Sequence, residues 1–197
     1  MKLVIATRNA GKAKEFRELL GDEFEIEDLS GYPDVPEVAE TGKTFAENAA
    51  LKAEAVSRLF DHLVLADDSG LEVEALNGAP GIYSARYSGE GATSVRNIEK
   101  LLRELEMHDP RGQNRGARFR CVIAVARDGH ILHFVEGKVE GSIIATPRGS
   151  GGFGYDPVFL PNEQDKTFGE LAAHIKNRIS HRAKAVEALR SLVRQDC

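Results

Sequence analysis

The chain has 197 residues and a formal net charge of −5, with 42% apolar and 29% charged residues. This length suits one large domain or two small lobes that share a core, and the composition is typical of a globular protein. The acidic balance argues against a broad nucleic-acid-binding surface, and no apolar run approaches the ~20 residues that a membrane span requires.

The N-terminal half is predicted to alternate strands and helices. A first strand at residues 3–6 leads through a loop into a helix that ends near Gly21, and a second strand is predicted around residues 24–27. Residues 31–41 are predicted as a loop, and the next helix begins at Thr44. This alternation favours a parallel or mixed sheet.

The loop after the first strand is a candidate phosphate site. It consists of Thr7, Arg8, Asn9, Ala10, Gly11 and Lys12. Backbone N–H groups at a helix start attract phosphate, the glycine permits close approach, and the lysine adds positive charge. The spacing differs from that of a P-loop, and an ordinary turn with a solvated lysine stays open as an alternative.

The helix that begins at Thr44 carries two polar side chains that could reach a cleft. Thr44 and Glu47 have the spacing of a capping box, and Asn48 and Lys52 lie one turn apart on the same face. Glu40, in the preceding loop, could join a metal site. A solvated helix face and a surface carboxylate are the plainer interpretations of these residues.

An acidic pair follows the apolar run at residues 63–66, which is predicted to be a buried strand that ends there. Asp67 and Asp68 precede Ser69 and Gly70. Two adjacent carboxylates in this position are costly unless a divalent cation and a bound polyanion compensate them. We expect a tight turn in which one aspartate faces the ligand and the other holds the turn, with a purely structural acidic turn as the alternative.

The C-terminal half is predicted to be richer in hairpins. Asp128-Gly129 is a strong two-residue hairpin signal between strands at residues 118–126 and 131–139. A last helix is predicted over residues 180–193. A helix capped by Thr93 or Ser94 precedes the hairpin and has an apolar face formed by Val95, Ile98, Leu101, Leu102 and Leu105. A mixed α/β or α+β fold with two lobes and a cleft accounts for this order of elements.

Two further segments could bind a ligand. The glycine-rich loop at residues 149–157 could lay backbone and an aromatic face against a flat base, and stacking of this kind is worth roughly 1–3 kcal/mol. Its candidate residues are Phe153, Gly154, Tyr155 and Asp156. Lys176, His181 and Arg182 form a basic cluster near the last helix, although surface charge and a helix cap at Ser180 would explain it as well.

Five segments carry a resemblance to a known family: ATRNAGK, TGKTFAENAALKA, ADDSGLEVEALNGAPGIYSARYSG, GGFGYDPVF and ISHRAKA. In this order, from near residue 3 to near residue 190, they closely resemble the inosine triphosphate pyrophosphatase family, whose bacterial members are XTP/dITP pyrophosphatases. The resemblance implies hydrolysis of ITP, dITP and XTP to the monophosphate and pyrophosphate, dependence on Mg²⁺, and a homodimer. It also implies an elongated mixed sheet with two α/β lobes around an active-site cleft, within one domain over residues 1–197.

The resemblance further implies a role for each candidate residue. Asp68 matches the catalytic aspartate and also a metal ligand, and Glu40 matches a second metal carboxylate. The substrate-binding positions are Thr7, Arg8, Asn9, Ala10, Gly11, Lys12, Lys52, Ser69, Phe153, Gly154, Tyr155, Asp156, Lys176, His181 and Arg182. Lys176 and Arg182 can only donate hydrogen bonds, so we expect them to select the six-oxo group of the deaminated purines over the amino group of adenine.

Two cysteines, Cys121 and Cys197, have no zinc-ligand spacing, and the chain starts on a strand without the layout of a signal peptide. Both observations favour a reduced cytoplasmic protein. The acidic balance and the lack of a long apolar run favour a protein without a nucleic-acid or membrane partner. Two other classes stay open: a Maf-like pyrophosphatase that acts on pyrimidine or modified nucleotides, and a non-catalytic nucleotide-binding protein.

Overall fold

The computed structural model describes residues 2–193, so Cys197 lies outside the described residues. Its strands and helices are, in chain order, β1 (Lys2–Ile5), α1 (Ala10–Leu20), β2 (Glu25–Asp28), α2 (Phe45–Ser57), β3 (Leu63–Val73), α3 (Ser94–His108), β4 (Gly116–Arg127), β5 (His130–Ile143), β6 (Phe159–Pro161), α4 (Ala173–Ile179) and α5 (His181–Val193). Between residues 2 and 193, no helix has both the length and the apolarity that crossing a membrane would take.

The six strands form one mixed sheet in the order β2-β1-β3-β4-β5-β6. β1 pairs in parallel with β2 and with β3, whereas β5 and β6 are antiparallel. The predicted mixed α/β fold is therefore confirmed. The hairpin turn between β4 and β5 has φ angles of 51° at Asp128 and 78° at Gly129, the positive values that a two-residue turn of this kind requires.

The chain divides into two compact units. Within the described residues, unit 1 comprises residues 2–68, 121–137 and 181–193, and unit 2 comprises residues 69–120 and 138–180. Each unit has its own apolar core. The core of unit 1 includes Leu3, Phe16, Leu65, Ile123 and Leu189, and that of unit 2 includes Leu71, Leu101, Phe119, Phe159 and Phe168.

Two predicted helix starts are confirmed. The side chains of Thr44 and Thr93 accept hydrogen bonds from the backbone N–H groups of Glu47 and Arg96, at 3.1 and 3.2 Å. The last helix, α5, packs closely on β5, where a Cβ atom added to Gly137 would lie 2.1 Å from the carbonyl oxygen of His181.

Two expectations from the sequence were wrong. The acidic pair does not form a turn, because β3 continues without a break from Leu63 to Val73. Buried partners compensate the two carboxylates, so the strand can pass through them. Val95 does not belong to the buried face of α3, since 64% of it is exposed and the apolar face begins at Ile98.

Candidate active site

The N-terminus of α1 presents backbone donors in unit 1. Asn9 caps this helix, because its side chain accepts the N–H of Lys12 at 3.1 Å, and Thr7 Oγ1 accepts the N–H of Asn9 at 3.1 Å. The N–H groups of Ala10 and Gly11 lie in the first turn, where a helix supplies no acceptor of its own. Such a helix start can hold an anion.

The side chain of Arg8 holds a neighbouring loop. Its guanidinium donates to the backbone carbonyl oxygens of Tyr32, at 3.3 Å, and of Val35. Arg8 thereby fixes the segment that follows β2 beside the first loop. A direct contact between Arg8 and a substrate stays a prediction.

Asp67 is buried among cations. Only 2% of the residue is exposed, and its Oδ2 lies 3.0 Å from Lys12 Nζ and 3.0 Å from a guanidinium nitrogen of Arg182. Burial alone would raise the pKa of this carboxyl, but the positive charges of Lys12, Arg182 and Lys52 outweigh it and hold the pKa well below its usual range. Asp67 is therefore a permanent anion that orients two cations, rather than the residue that holds a turn.

Asp68 has different surroundings. Its Oδ2 accepts a hydrogen bond from the Asn48 amide at 3.0 Å, and its Oδ1 lies 3.8 Å from Lys52 Nζ. Burial raises the pKa of Asp68, and the negative charge of Glu40 adds to this effect. Lys52, Lys12 and the bond from Asn48 act in the opposite direction but do not restore the ordinary value. Asp68 is thus a stronger base than an exposed aspartate.

Glu40 and Asp68 form a pair of carboxylates on either side of one cation. Lys52 Nζ lies 2.8 Å from Glu40 Oε1 and also donates to the backbone oxygen of Asp67 at 2.7 Å. One ammonium group thus lies within 4 Å of an oxygen of each carboxylate. Among residues 2–193 no group of three or more His, Cys, Asp or Glu side chains is arranged as a metal site. Two carboxylates fit Mg²⁺, which commonly takes its other ligands from water and substrate phosphates.

Arg182 belongs to the same charged cluster. It is 1% exposed and binds Glu15 of α1 as well as Asp67. His181, the residue before it, is also buried and begins α5. The structure therefore gives the Arg182 guanidinium two carboxylate partners within unit 1, while its expected contact with a purine base stays a prediction.

Unit 2 brings together three of the residues expected to bind the base. Lys176 Nζ donates to Asp156 Oδ2 at 2.6 Å, and the same oxygen accepts the backbone N–H of Phe153 at 2.7 Å. The Lys176 ammonium lies 5.1 Å from the centre of the Phe153 ring. Gly152 has a φ of 69°, and an added Cβ there would lie 1.9 Å from Asp156 Oδ2, so the close turn requires glycine.

The other candidate residues of unit 2 are part of the protein core, of the backbone turn or of β3. Tyr155 is a core residue, 3% exposed, whose hydroxyl donates to the backbone oxygen of Ser84 at 2.9 Å. Gly154 has a φ of 60° and completes the turn between the two aromatic residues. Ser69 is half-buried and follows Asp68 in β3. Phe153 is consequently the aromatic residue of this loop that could stack on a base.

The sequence assigned no role to Glu15, and it predicted that Asn48 could reach a cleft without identifying its partners. Glu15 is buried on the apolar face of α1 beside Phe16, and its position on that face was an available signal of a buried partner. Asn48 was placed correctly one turn before Lys52, but its contact with Asp68, 20 residues further along the chain, depends on the fold.

The chain is similar to known proteins over nearly its whole length. A sequence profile of the Ham1 family matches residues 3–192. A dITP/XTP pyrophosphatase of Geobacillus kaustophilus is 54% identical over 189 residues, which cover 95% of this chain and 92% of that protein.

Two solved structures are similar over nearly the whole chain. The Staphylococcus aureus Ham1 protein has a TM-score of 0.85 and 41% identity, with 100% of both chains covered. The nucleoside-triphosphatase or dITP/XTP pyrophosphatase of Mycobacterium abscessus has a TM-score of 0.75 and 39% identity, covering 96% of this chain and 99% of that one.

Proposed function

The chain belongs to the Ham1 family, and from this premise we propose that it hydrolyses ITP, dITP and XTP to the nucleoside monophosphate and pyrophosphate. It is a hydrolase that acts on the phosphoanhydride bond of deaminated purine nucleotides. By removing these nucleotides, it would keep deaminated purines out of newly made nucleic acid. The relatives named dITP/XTP pyrophosphatase support this reaction, and so does the charge arrangement of unit 1.

The observation that carries the proposal is the contrast between two consecutive carboxylates. Asp67 is held ionised by Lys12 and Arg182, whereas Asp68 has a raised pKa and lies near Lys52. Paired acids whose environments separate their pKa values mark the residue that exchanges a proton. We therefore assign proton transfer to Asp68 and cation positioning to Asp67.

In the proposed reaction, water attacks the α-phosphorus, the bond from that phosphorus to the bridging oxygen breaks, and pyrophosphate leaves. Asp68 accepts the proton of the attacking water. Lys12, Lys52 and the first N–H groups of α1 bind the β- and γ-phosphates. Glu40 and Asp68 would hold Mg²⁺, which neutralises charge on the leaving group when bound.

Base selection is assigned to the cluster in unit 2. The Lys176 ammonium can donate to a six-oxo group, whereas the amino group of adenine would face another donor and lose its hydrogen bond. Phe153 provides a ring on which a purine can stack. Asp156 fixes both groups, since it binds Lys176 and the backbone of Phe153 through one oxygen.

A substrate panel tests the proposal. The protein is incubated with Mg²⁺ and separately with ITP, XTP, dITP, ATP, GTP and dTTP, and the products are separated by anion-exchange chromatography. Monophosphate and pyrophosphate from the first three nucleotides support the proposal. Turnover of dTTP alone would assign the protein to a Maf-like class, and no turnover at all would indicate a binding protein. The Asp68→Asn variant controls for contaminating phosphatases.

The family resemblance supports an assembly, and the cysteine pattern supports a location. We propose a homodimer that works in the cytoplasm and binds a small nucleotide rather than nucleic acid or a membrane. Light scattering coupled to size exclusion checks the dimer, because a single species of twice the chain mass is expected.

A further inference from the structure

We propose that Asn48 is a positioning residue that sets the distance between the two metal carboxylates, Glu40 and Asp68. This inference rests on the proposed function, since it concerns the same site. Asn48 is 0% exposed, and its amide bonds both to Asp68 and to the segment that carries Glu40. It would not touch the substrate, so its effect is transmitted through the two carboxylates.

The Asn48 amide uses both of its ends. Its Oδ1 accepts the backbone N–H of Gly42 at 2.8 Å, and its Nδ2 donates to Asp68 Oδ2 at 3.0 Å. Gly42 is two residues after Glu40, so the first bond fixes the loop that carries this carboxylate. A carboxamide is required here, because an aspartate has no donor for Asp68 and a leucine has neither a donor nor an acceptor.

The two bonds complete a ring of contacts. Asn48 occupies Asp68 Oδ2, which leaves Oδ1 on the side of Lys52, at 3.8 Å. Lys52 in turn binds Glu40 at 2.8 Å, and the chain from Glu40 to Gly42 returns to Asn48. One amide thus determines which Asp68 oxygen faces the cation and how near Glu40 lies.

Gly42 contributes to the same spacing. A Cβ atom added to this residue would lie 2.7 Å from Asn48 Oδ1 and 2.7 Å from the Cβ of Glu47. The segment that carries Glu40 would therefore have to move away from α2. Gly42→Ala therefore disturbs one end of the bridge without removing the Asn48 amide.

Unit 2 contains a matched arrangement without a carboxylate. Asn97 occupies the same position of α3, four residues after a capping threonine, and is 5% exposed. Its Oδ1 accepts the N–H of Ser88 at 2.8 Å, and its Nδ2 donates to the carbonyl oxygens of Ser84 and Ala85 at 3.2 and 3.1 Å. Both asparagines fasten a loop, but Asn48 also holds a site carboxylate.

The test compares Asn48→Ala, Gly42→Ala and Asn97→Ala in the full chain. Mn²⁺ alone is titrated into each protein, with free ion measured by electron paramagnetic resonance, and kcat and KM for XTP are measured with Mg²⁺. Loss of a group that orients metal ligands typically costs 10–100-fold in metal affinity or activity. We expect a loss of this size in Mn²⁺ affinity and in kcat for the first two variants, with KM within about threefold, and neither change for Asn97→Ala.

Two results would overturn the inference. One is Mn²⁺ affinity and kcat that stay within twofold of wild type in both Asn48→Ala and Gly42→Ala. The other is a loss of Mn²⁺ affinity and kcat in Asn97→Ala that equals the loss in Asn48→Ala, at a similar drop in thermal stability. This result would show that Asn48 only holds its loop in place. A wild-type protein without XTP turnover would instead contradict the proposed function, and the Mn²⁺ titration would still decide the role of Asn48.

Discussion

Asp67 and Asp68 are consecutive residues of β3, yet their surroundings shift their pKa values in opposite directions. Alternation along the strand directs one carboxylate to Lys12 and Arg182 and the other to Asn48 and Lys52. A single dipeptide thus contains one carboxylate that its cations keep ionised and one whose pKa is raised.

Asp68→Asn should remove most of the turnover, by about 10²–10⁴-fold, because the variant cannot accept a proton. It should not reduce stability at neutral pH. The pKa of Asp68 is higher in the folded than in the unfolded state. Above the unfolded pKa the native state therefore binds more protons than the unfolded state. The free energy of unfolding of the wild type consequently falls as the pH rises through the folded pKa. Asparagine does not titrate, so the variant should lack this pH-dependent fall in stability. Urea unfolding of both proteins at pH 4.5 and pH 7 measures it, and a variant less stable than wild type at pH 7 would contradict the assignment.

Asp67→Asn should be far more damaging to the fold. The change leaves Lys12 and the buried Arg182 without their shared anion, and breaking a buried pair in this way costs about 3–5 kcal/mol. The depressed pKa of Asp67 means that its stabilising effect is present above the unfolded pKa and is lost only in strong acid. Urea unfolding at pH 7 checks the loss, with the exposed Asp22→Asn as control. Equal stabilities of the two variants would refute the structural role.

Lys176→Met should reduce discrimination between ITP and ATP. The variant keeps much of the side-chain volume but cannot donate to the six-oxo group, and a hydrogen bond to a charged donor is worth about 1.5–3 kcal/mol. An energy of this size corresponds to a fall of roughly 10–100-fold in the ratio of kcat/KM for ITP to kcat/KM for ATP. Lys138→Met, on the surface of β5, should leave the ratio unchanged. An unaltered ratio in Lys176→Met would place base selection elsewhere.

Removal of the metal should stop turnover without loosening the fold. Lys52 Nζ lies 2.8 Å from Glu40 and 3.8 Å from Asp68, so one cation partly compensates the two carboxylates when the ion leaves. Activity should vanish in EDTA and return with excess Mg²⁺, while the melting temperature changes by less than about 3 °C. A much larger drop in melting temperature would show that the ion also has a structural role.

Cys121 should resist alkylation in the folded protein. Its side chain is buried in the core of unit 1, and burial raises the pKa of the thiol to about 12. At pH 8 almost no thiolate is present and iodoacetamide has no access. Peptide mapping by mass spectrometry should find Cys121 unmodified until urea is added. Modification under native conditions at the rate of a small free thiol would contradict the burial.

Local signals predicted much of the fold. The helix caps at Thr44 and Thr93, the hairpin turn at Asp128-Gly129 and the alternating first half each depend on residues within a few positions of one another. The course of β3 could not be predicted in this way. Asp67 looks like the end of a strand because its partner Arg182 lies 115 residues away, and only the folded chain brings this cation to it.

In the candidate site, too, some features could be predicted from the sequence and others depend on long-range contacts. The family resemblance singled out Glu40, Lys52 and Asp68, and unit 1 brings their charged groups together. The contacts of Glu15 and Asn48 were not predictable, because both side chains bind residues that lie far from them along the chain.

The division of the chain into units also limits how the protein can be taken apart. Unit 1 is assembled from three stretches of sequence and unit 2 from two, in alternation. No single peptide-bond cleavage can release either unit whole, so limited proteolysis should yield a nicked protein that stays together rather than two separable domains. The same interleaving gives folding a high proportion of long-range contacts, which favours slow folding. Truncation would therefore be a poor guide to which part binds the nucleotide, and point substitutions are the better tool.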